Sequence, residues 1–344
     1  MSDGPSFPPA VAGPAPEPKK RRSVWAVLAT ILLLLSVAAN AVLVLLVIVL
    51  AATVSASFSG GVTEDILQER VLLPGPGSQK IAVIYVGGFI DEDLTDSLHA
   101  QIQRAADDDR VKAVILRINS PGGGLTETDM IYHDVRALLA ESDKPIIAAM
   151  DGVAASGGYY IACSADHIIA QPTTVTGSIG VIAQLFFLQG LMQDKLGVTP
   201  VTLKMGEQKD WPNIFGDAGL TEEQRRYLMD SLLVPGYERF VGIVADGRGL
   251  ERAEVLRLAT GRIYTGDEAL AVGLVDEVGY FESAVEAALR AAGLEEARVV
   301  EYVEPFSLST LLGVSARVKE RLDLAPEKLA ALASPKVMYL WTGF

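Results

Sequence analysis

A long uncharged apolar run near the N-terminus constrains this 344-residue chain more than any other feature. The run extends from Val24 to Val54, and four consecutive cations, Lys19–Arg22, precede it. About 20 apolar residues cross the hydrocarbon core of a bilayer as a helix, so this run is long enough to span a membrane even when tilted. The cationic flank predicts a cytoplasmic N-terminus. We therefore expect a single-pass protein of the cytoplasmic membrane whose remaining residues lie outside the cytoplasm.

A cleaved signal peptide is the alternative interpretation of this run, because Val54-Ser55-Ala56 loosely resembles a small-residue cleavage site. The apolar region of a signal peptide spans only about 7–15 residues, and this run is about twice as long. Its length favours a retained anchor. Both interpretations place the following residues outside the cytoplasm.

Charge and cysteine content exclude some partners and some chemistry. The 29 Lys and Arg residues stand against 43 Asp and Glu residues, which gives a formal charge of −14. Nucleic-acid binding needs clustered basic side chains, so we expect no nucleic-acid partner. The one cysteine, Cys163, cannot form an intramolecular disulfide, and its setting is typical of a small buried residue rather than a catalytic thiol.

Changes in composition divide the chain into five segments. Strand-like and helix-like stretches alternate in the fourth segment, which predicts an α/β domain with a parallel or mixed sheet covered by helices. The end of the fifth segment is apolar, whereas loose chain ends are normally polar, so we expect it to dock on a folded surface. The segments are 1–23, a disordered cytoplasmic tail; 24–54, the transmembrane anchor; 55–79, a juxtamembrane linker; 80–303, the main domain; and 304–344, a C-terminal helix and apolar docking tail.

One hydroxyl group stands in a turn made of small residues, where a predicted strand runs into Ser156-Gly157-Gly158. Small neighbours allow a substrate backbone to approach Ser156 closely. A helix that begins here would direct backbone N–H groups and the positive end of its dipole at the same place, which suits a developing oxyanion. The motif also fits a structural turn that packs a helix on a sheet.

A second glycine-rich loop, Pro121–Gly124, also follows a strand and precedes a helix. Its N–H groups could bind a carbonyl oxygen, although the same pattern fits a phosphate cradle or an ordinary turn. The loop has neither the Gly-x-Gly-x-x-Gly spacing nor the Walker Lys-Ser/Thr, which argues against nucleotide binding.

A catalytic serine needs a general base, and histidine is the usual one. The three histidines, His99, His133 and His167, occupy positions typical of surface or structural residues. A lysine can replace histidine when burial lowers its pKa and leaves the amine neutral. Lys204 and Lys209 lie in one loop flanked by apolar residues, and their spacing alone does not choose between them.

Five short motifs occur in a fixed order and at characteristic distances. They are Asn119–Gly124, Asp151–Tyr160, Thr176–Val181, Gly261–Gly266 and Gly273–Gly279. Together they resemble the short form of signal peptide peptidase A, a family of Ser–Lys peptidases related in fold to the Clp proteolytic subunit and crotonase. The resemblance covers about residues 80–285 and includes the terminal Met338–Trp341. It implies an α/β fold of repeated β-β-α units.

The resemblance also implies the site residues. Ser156 would be the nucleophile and Lys209, in a Lys-Asp step, the general base, with Lys204 as the second choice. Ser178 would orient the lysine amine. The two backbone N–H groups of an oxyanion hole would come from Gly157 and from either Gly122 or Gly123.

Family resemblance further implies a serine endopeptidase that needs no metal or cofactor and degrades cleaved signal peptides and other membrane-associated peptides. Half-length members form rings, often octamers, in which adjacent subunits supply serine and lysine.

This chain departs from the family pattern at Trp211-Pro212, directly after Lys209-Asp210. Two alternatives are a catalytically silent, membrane-tethered scaffold and a crotonase-like acyl-thioester enzyme that would need coenzyme A.

Overall fold

The computed structural model describes residues 24–58, 67–139, 141–213, 215–216, 219–303 and 336–343. The chain separates into two compact units, Met1–Val62 and Thr63–Phe344. In the first unit, one helix is described, α1 (Val24–Phe58). Its segment Leu28–Val49 is long and apolar enough to cross a membrane, as the sequence predicts for this run.

The second unit is built on a mixed sheet, to which eleven strands contribute within the described residues. The strands are β1 (Gln68–Leu73), β2 (Lys80–Ile90), β3 (Val111–Gly124), β4 (Ile146–Ala155), β5 (His167–Ala170), β6 (Val175–Gly177), β7 (Ile182–Gln184), β8 (Ile263–Tyr264), β9 (Glu277–Val278), β10 (Arg298–Val303) and β11 (Lys336–Leu340).

Helices follow most of the strands and cover the sheet. They are α2 (Glu92–Asp107), α3 (Leu125–Asp134), α4 (Gly157–Ala162), α5 (Glu222–Leu228), α6 (Val234–Arg248), α7 (Arg252–Leu258), α8 (Gly266–Ala271) and α9 (Phe281–Ala291). Helices α5 and α6 are joined by a π-helical turn, Met229–Leu233. Helix α5 begins at a capping box formed by Thr221 and Gln224.

The main path of the sheet runs β1-β10-β2-β3-β4-β5-β9. All neighbours from β10 to β9 are parallel, and β1 is antiparallel to β10 at the edge. Parallel strands covered by helices on both faces are apolar on both faces. In β2, Ala82 and Ile84 pack in one core, whereas Ile81 and Val83 pack in the core on the opposite face. The predicted α/β class with a covered, mostly parallel sheet is confirmed.

A second group of strands branches from the ends of β3 and β4, beyond the main path. β6 pairs with the last residues of β4, and β8 pairs with β6. β11 pairs antiparallel with both β3 and β7. These pairings place the carboxyl ends of two central strands, the loop after β6 and the C-terminal segment at one edge of the sheet.

One segment boundary differs from the sequence prediction. β1 lies within 55–79, the predicted linker, so the folded domain begins before residue 80. Its partner β10 is more than 220 residues away in sequence, and such long-range pairing leaves no local pattern. A buried cation also holds the strand, because Lys80 Nζ lies 2.5 Å from Glu69 Oε1 and 3.1 Å from Asp108 Oδ2. The predicted C-terminal helix in 304–335 lies outside the described residues.

Candidate active site

Ser156 occupies the sharp turn between β4 and α4, with φ 53° and ψ −114°. A positive φ is strained for a residue that carries a Cβ, so neighbouring contacts must hold it. The Ser156 N–H group donates to the Gly177 carbonyl at 2.8 Å, and the Ser156 carbonyl accepts from the Tyr160 N–H group at 2.9 Å. The residue is 1% exposed. The turn therefore fixes one hydroxyl group at the edge of the sheet and at the first turn of a helix.

Glycine backbone from the end of β3 packs directly against this turn. A Cβ atom added to Gly122, which has φ 98°, would stand 2.7 Å from the Gly157 nitrogen. A Cβ added to Gly157 would stand 3.0 Å from the Gly122 Cα and 2.8 Å from Thr128 Oγ1. Side chains at either position would separate the two segments. The sequence thus brings the predicted Gly122, Gly123 and Gly157 together beside Ser156.

Ser178 lies in the same site as Ser156. It follows β6, is buried, has φ 47°, and its N–H group donates to the Arg262 carbonyl at 2.8 Å. Both serines line a cavity of about 430 Å³. The other lining residues are Ile179, Gly180, Val181, Ile182, Tyr237, Ala259, Thr260, Gly261, Leu340, Trp341 and Thr342.

The predicted general base is not in this cavity. Lys209 is exposed and lies in a short 3₁₀ turn, Glu207–Asp210. Lys204 Nζ instead contacts Asp210 Oδ1 at 2.5 Å and donates to the Glu207 carbonyl at 2.8 Å. Within the described residues of a single chain, the cavity is lined by no lysine, histidine or carboxylate. One copy of the chain therefore brings together Ser156, Ser178 and the three glycines, but not Lys209.

Other candidate groups have structural settings. Burial raises the pKa of the Cys163 thiol to about 12, so this cysteine is not a thiolate nucleophile at neutral pH. His99 Nδ1 lies 2.8 Å from Asp134 Oδ2, and His167 lies near Asp276 and Glu277. In the described part of the chain, no group of three or more His, Cys, Asp or Glu side chains is arranged to hold a metal ion.

The C-terminal strand β11 lies across the site between β3 and β7. Its register pairs Tyr339 with Gly123, and the Trp341 N–H group donates to the Pro121 carbonyl at 2.9 Å. The Tyr339 carbonyl oxygen would be 2.0 Å from a Cβ added to Gly122 and 3.1 Å from a Cβ added to Gly157, so it lies against both glycines. The tail, which the sequence predicts to dock on a folded surface, therefore lies in the cleft beside Ser156.

This arrangement suits acyl chemistry. A hydroxyl group on a strained strand-to-helix turn, beside the glycine backbone of a helix start and a strand end, can attack a carbonyl carbon and place the resulting oxyanion near backbone N–H groups. The fold and site define a serine hydrolase.

Comparisons with known proteins identify the family. The model of peptidase family S49 matches residues 139–295, and that of the NfeD1b N-terminal domain matches residues 80–187. A putative signal peptide peptidase SppA of Enterococcus faecium is 35% identical over 94% of this chain and 99% of that protein. A putative protease of Methanocaldococcus jannaschii is 35% identical over 66% of this chain and 75% of that protein. Protease 4 of Salmonella typhi is 32% identical over 77% of this chain and 43% of that protein.

The chain therefore belongs to the SppA family of S49 serine proteases, as its motifs predict. The Clp-protease-like fold expected from the resemblance is that of this family, and the enzyme class is a serine protease. The alternative of an acyl-thioester enzyme has no support among these relatives.

Sequence reasoning did not find the residues that surround Tyr339. The apolar Met338–Trp341 indicated that the tail docks, but not where. Tyr160 and Phe240, which contact the Tyr339 ring, come from two helices that lie apart in sequence. Thr128, whose buried hydroxyl adjoins Gly157, sits on a third helix and has no distinguishing motif.

The strained conformation of Ser156 predicts a stability difference between two variants that both lack its hydroxyl group. Ser156→Gly removes the Cβ that makes the positive φ costly, whereas Ser156→Ala retains it. After the greater unfolded-state freedom of glycine is subtracted, we expect Ser156→Gly to be more stable than Ser156→Ala by about 1 kcal/mol. Urea denaturation of the two variants measures this difference, and a less stable glycine variant would contradict the strained geometry.

Proposed function

We propose that this chain is a membrane-anchored endopeptidase that degrades cleaved signal peptides and other membrane-associated peptides through an acyl-enzyme on Ser156. The observation that carries the proposal is β11, an extended peptide segment held between two strands and paired with the glycine segment at the end of β3. Addition of a strand to a sheet edge is a general mode of peptide recognition. A peptide substrate would take the place of the tail.

Ser156, Lys209, Ser178 and two of the glycines have roles in the proposed reaction. Neutral Lys209 takes the proton of Ser156 while the hydroxyl oxygen attacks the peptide carbonyl, and the oxyanion accepts from the Gly123 and Gly157 N–H groups. The lysine then gives its proton to the leaving amine, and the new amino terminus departs. Water, deprotonated by the same lysine, attacks the ester and regenerates Ser156. Ser178, in the same cavity, orients the lysine amine.

The lysine in this proposal comes from a second copy of the chain. The Ser156 cavity has a hydroxyl, glycine donors and Ser178, but its described lining in one chain offers no proton acceptor of suitable basicity. The loop that carries Lys209 projects exposed apolar side chains, since Leu203 and Met205 are each 94% exposed. Exposed apolar groups of this kind indicate a contact surface. We propose a homo-oligomeric ring, by resemblance an octamer, in which this loop completes the neighbouring site.

The anchor suits a substrate that remains in the membrane. Helix α1 contains a 22-residue segment able to span a bilayer, and a relative covered almost throughout its length is named a putative signal peptide peptidase. The cations at Lys19–Arg22 support a cytoplasmic N-terminus with the catalytic domain on the other side. Tethering keeps the cleft near peptides released in the same membrane.

Hydrolysis of an apolar peptide by the detergent-solubilised full chain tests the assignment of nucleophile and base. We expect Ser156→Ala and Lys209→Ala each to lower kcat by at least about a thousandfold, since members of a catalytic unit act together. Lys204→Ala is the matched control, because this lysine lies in the same loop, and it should change kcat less than tenfold. Full activity in Lys209→Ala would refute the base assignment.

Mixing the two inactive variants tests whether the site is shared. After the Ser156→Ala and Lys209→Ala subunits are dissociated and reassembled together, some contacts join an intact serine to an intact lysine. We expect activity to return in the mixture and in neither variant treated alone. An inactive mixture whose mixed assembly is verified by mass would place both residues in one subunit.

Occupancy of the cleft by the tail predicts that weakening the tail activates the enzyme. Tyr339→Ala removes a fully buried aromatic side chain, which costs on the order of 3–5 kcal/mol of packing, so the tail should leave the cleft more often. We expect kcat/KM for an added peptide to rise by roughly tenfold or more. Tyr280→Ala, which removes an exposed tyrosine outside this cavity, is the control and should have little effect. Unchanged activity in Tyr339→Ala would mean that the tail does not compete with substrate.

A further inference from the structure

One buried hydroxyl group beside the Ser156 turn has no hydrogen-bond partner. Thr128 lies on α3 and is 0% exposed, and its Oγ1 atom lacks a partner within the described residues. A threonine inside a helix can donate to the carbonyl three or four residues earlier, but neither Leu125 nor Gly124 accepts from this one. Burial of an unpaired hydroxyl costs folding free energy. Its presence here therefore calls for a physical reason.

The position of Thr128 connects this hydroxyl group to the glycine segments of the site. A Cβ atom added to Gly157 would stand 2.8 Å from Thr128 Oγ1 and 3.1 Å from the Tyr339 carbonyl oxygen. The Gly122 Cα lies 3.0 Å from the same point. Gly157 is the first residue of α4 and directly follows Ser156. The unpaired hydroxyl thus adjoins the place where two glycine segments and one peptide carbonyl meet beside the nucleophile.

The surrounding elements fix Thr128 at this place. Helix α3 begins directly after β3, which ends in the glycine segment Gly122–Gly124. Thr128 and Ile131 are the buried residues of α3, so this face of the helix is turned toward the core. The next residue, Asp129, accepts from the Tyr160 hydroxyl group of α4 at 2.5 Å. Thr128 is therefore held between the strand end and the helix start that supply the backbone donors.

Resting on the proposed peptidase function, we propose that Thr128 is a further catalytic residue, whose hydroxyl group donates a hydrogen bond to the oxyanion of the tetrahedral intermediate. When Ser156 attacks, the electron pair of the carbonyl double bond moves to the oxygen, and the new charge gives the unpaired hydroxyl an acceptor. The N–H groups of Gly123 and Gly157 are the other two donors. The proton stays on Thr128, and its hydrogen bond is lost when the carbonyl re-forms.

The lack of a partner in the resting chain favours this role over a structural one. A hydroxyl group that held the turn together would already be bonded to it. The neutral Tyr339 carbonyl oxygen adjoins Thr128 without accepting from it. An interaction made only in the transition state raises kcat, whereas one made equally with the bound substrate lowers KM. Loss of the Thr128 hydroxyl should therefore lower kcat and leave KM nearly unchanged.

Kinetics of the detergent-solubilised full chain with an apolar peptide test this role. Thr128→Val keeps the branched shape but removes the hydroxyl group, and we expect it to lower kcat by about tenfold to a hundredfold with KM within about twofold. Thr128→Ser keeps the hydroxyl group and should retain kcat within about threefold. Because the tail competes with the peptide, kcat at saturating peptide does not depend on tail occupancy.

A peptide aldehyde gives a second measurement of the same interaction. It forms a tetrahedral adduct with a serine hydroxyl group and so resembles the intermediate. We expect its inhibition constant to rise in Thr128→Val by about the same factor as kcat/KM falls, since both report the loss of one oxyanion donor. An unchanged inhibition constant would contradict a hydrogen bond from Thr128 to the oxyanion.

Tyr302→Phe is the matched control, because the Tyr302 hydroxyl on β10 is also buried without a partner in the described part of the chain. Each of Thr128→Val and Tyr302→Phe removes an unpaired buried hydroxyl, so neither should lower the urea midpoint of unfolding. Only Thr128→Val should lower kcat.

Three results would overturn the role of Thr128 while the peptidase function stands. They are a kcat of Thr128→Val within twofold of the unchanged chain, a kcat of Thr128→Ser as low as that of Thr128→Val, and a clear fall in the urea midpoint of Thr128→Val, which would indicate a structural hydroxyl group. Absence of any hydrolysis by the unchanged chain above the Ser156→Ala background would overturn the proposed function and this inference with it.

Discussion

The close packing of two glycine segments around one strained serine is the constraint on which the rest of the site depends. Ser156 adopts a positive φ because the end of β4 pairs with β6, while α4 begins at the next residue. Gly157 and Gly122 allow the end of β3 to touch this turn. The large parallel sheet supplies the rigidity that maintains the strain, since both of its faces are buried in apolar cores. A side chain in place of either glycine would move the donors away from the hydroxyl group.

Local parts of this architecture could be predicted from the sequence, and distant pairings could not. The alternation of strand-like and helix-like stretches predicted the α/β class, and the small-residue turn located Ser156, because each depends on residues close together in sequence. By contrast, β1 and β11 pair with strands far away in sequence, and neither had an alternating pattern strong enough to identify it. The pocket around Tyr339 likewise depends on contacts between α4 and α6. The family resemblance named Lys209, but the described residues of one chain do not bring this lysine to Ser156.

Two features of the single chain suit a protease whose hydrolysis of peptides is restricted: in its described residues no lysine lines the Ser156 cavity, and β11 lies in the cleft. One chain holds Ser156 and the adjacent glycine backbone, and its own C-terminal strand lies in the cleft beside them. Under the proposed function, assembly supplies the base, and displacement of β11 opens the cleft. Both conditions restrict hydrolysis to assembled enzyme that meets a peptide able to compete with the tail. Anchoring by α1 would further restrict that peptide to the neighbourhood of the membrane.

The central claim is that Ser156 becomes acylated with the help of an amine from Lys209. The most direct measurement is the site of covalent labelling by a serine-directed acylating probe, determined by intact mass and peptide mapping of the assembled full chain. The account predicts one adduct per chain, located on Ser156, and almost no adduct in the Lys209→Ala variant at the same probe concentration. An adduct on another residue, or equally fast labelling of Ser156 in the Lys209→Ala variant, would contradict it.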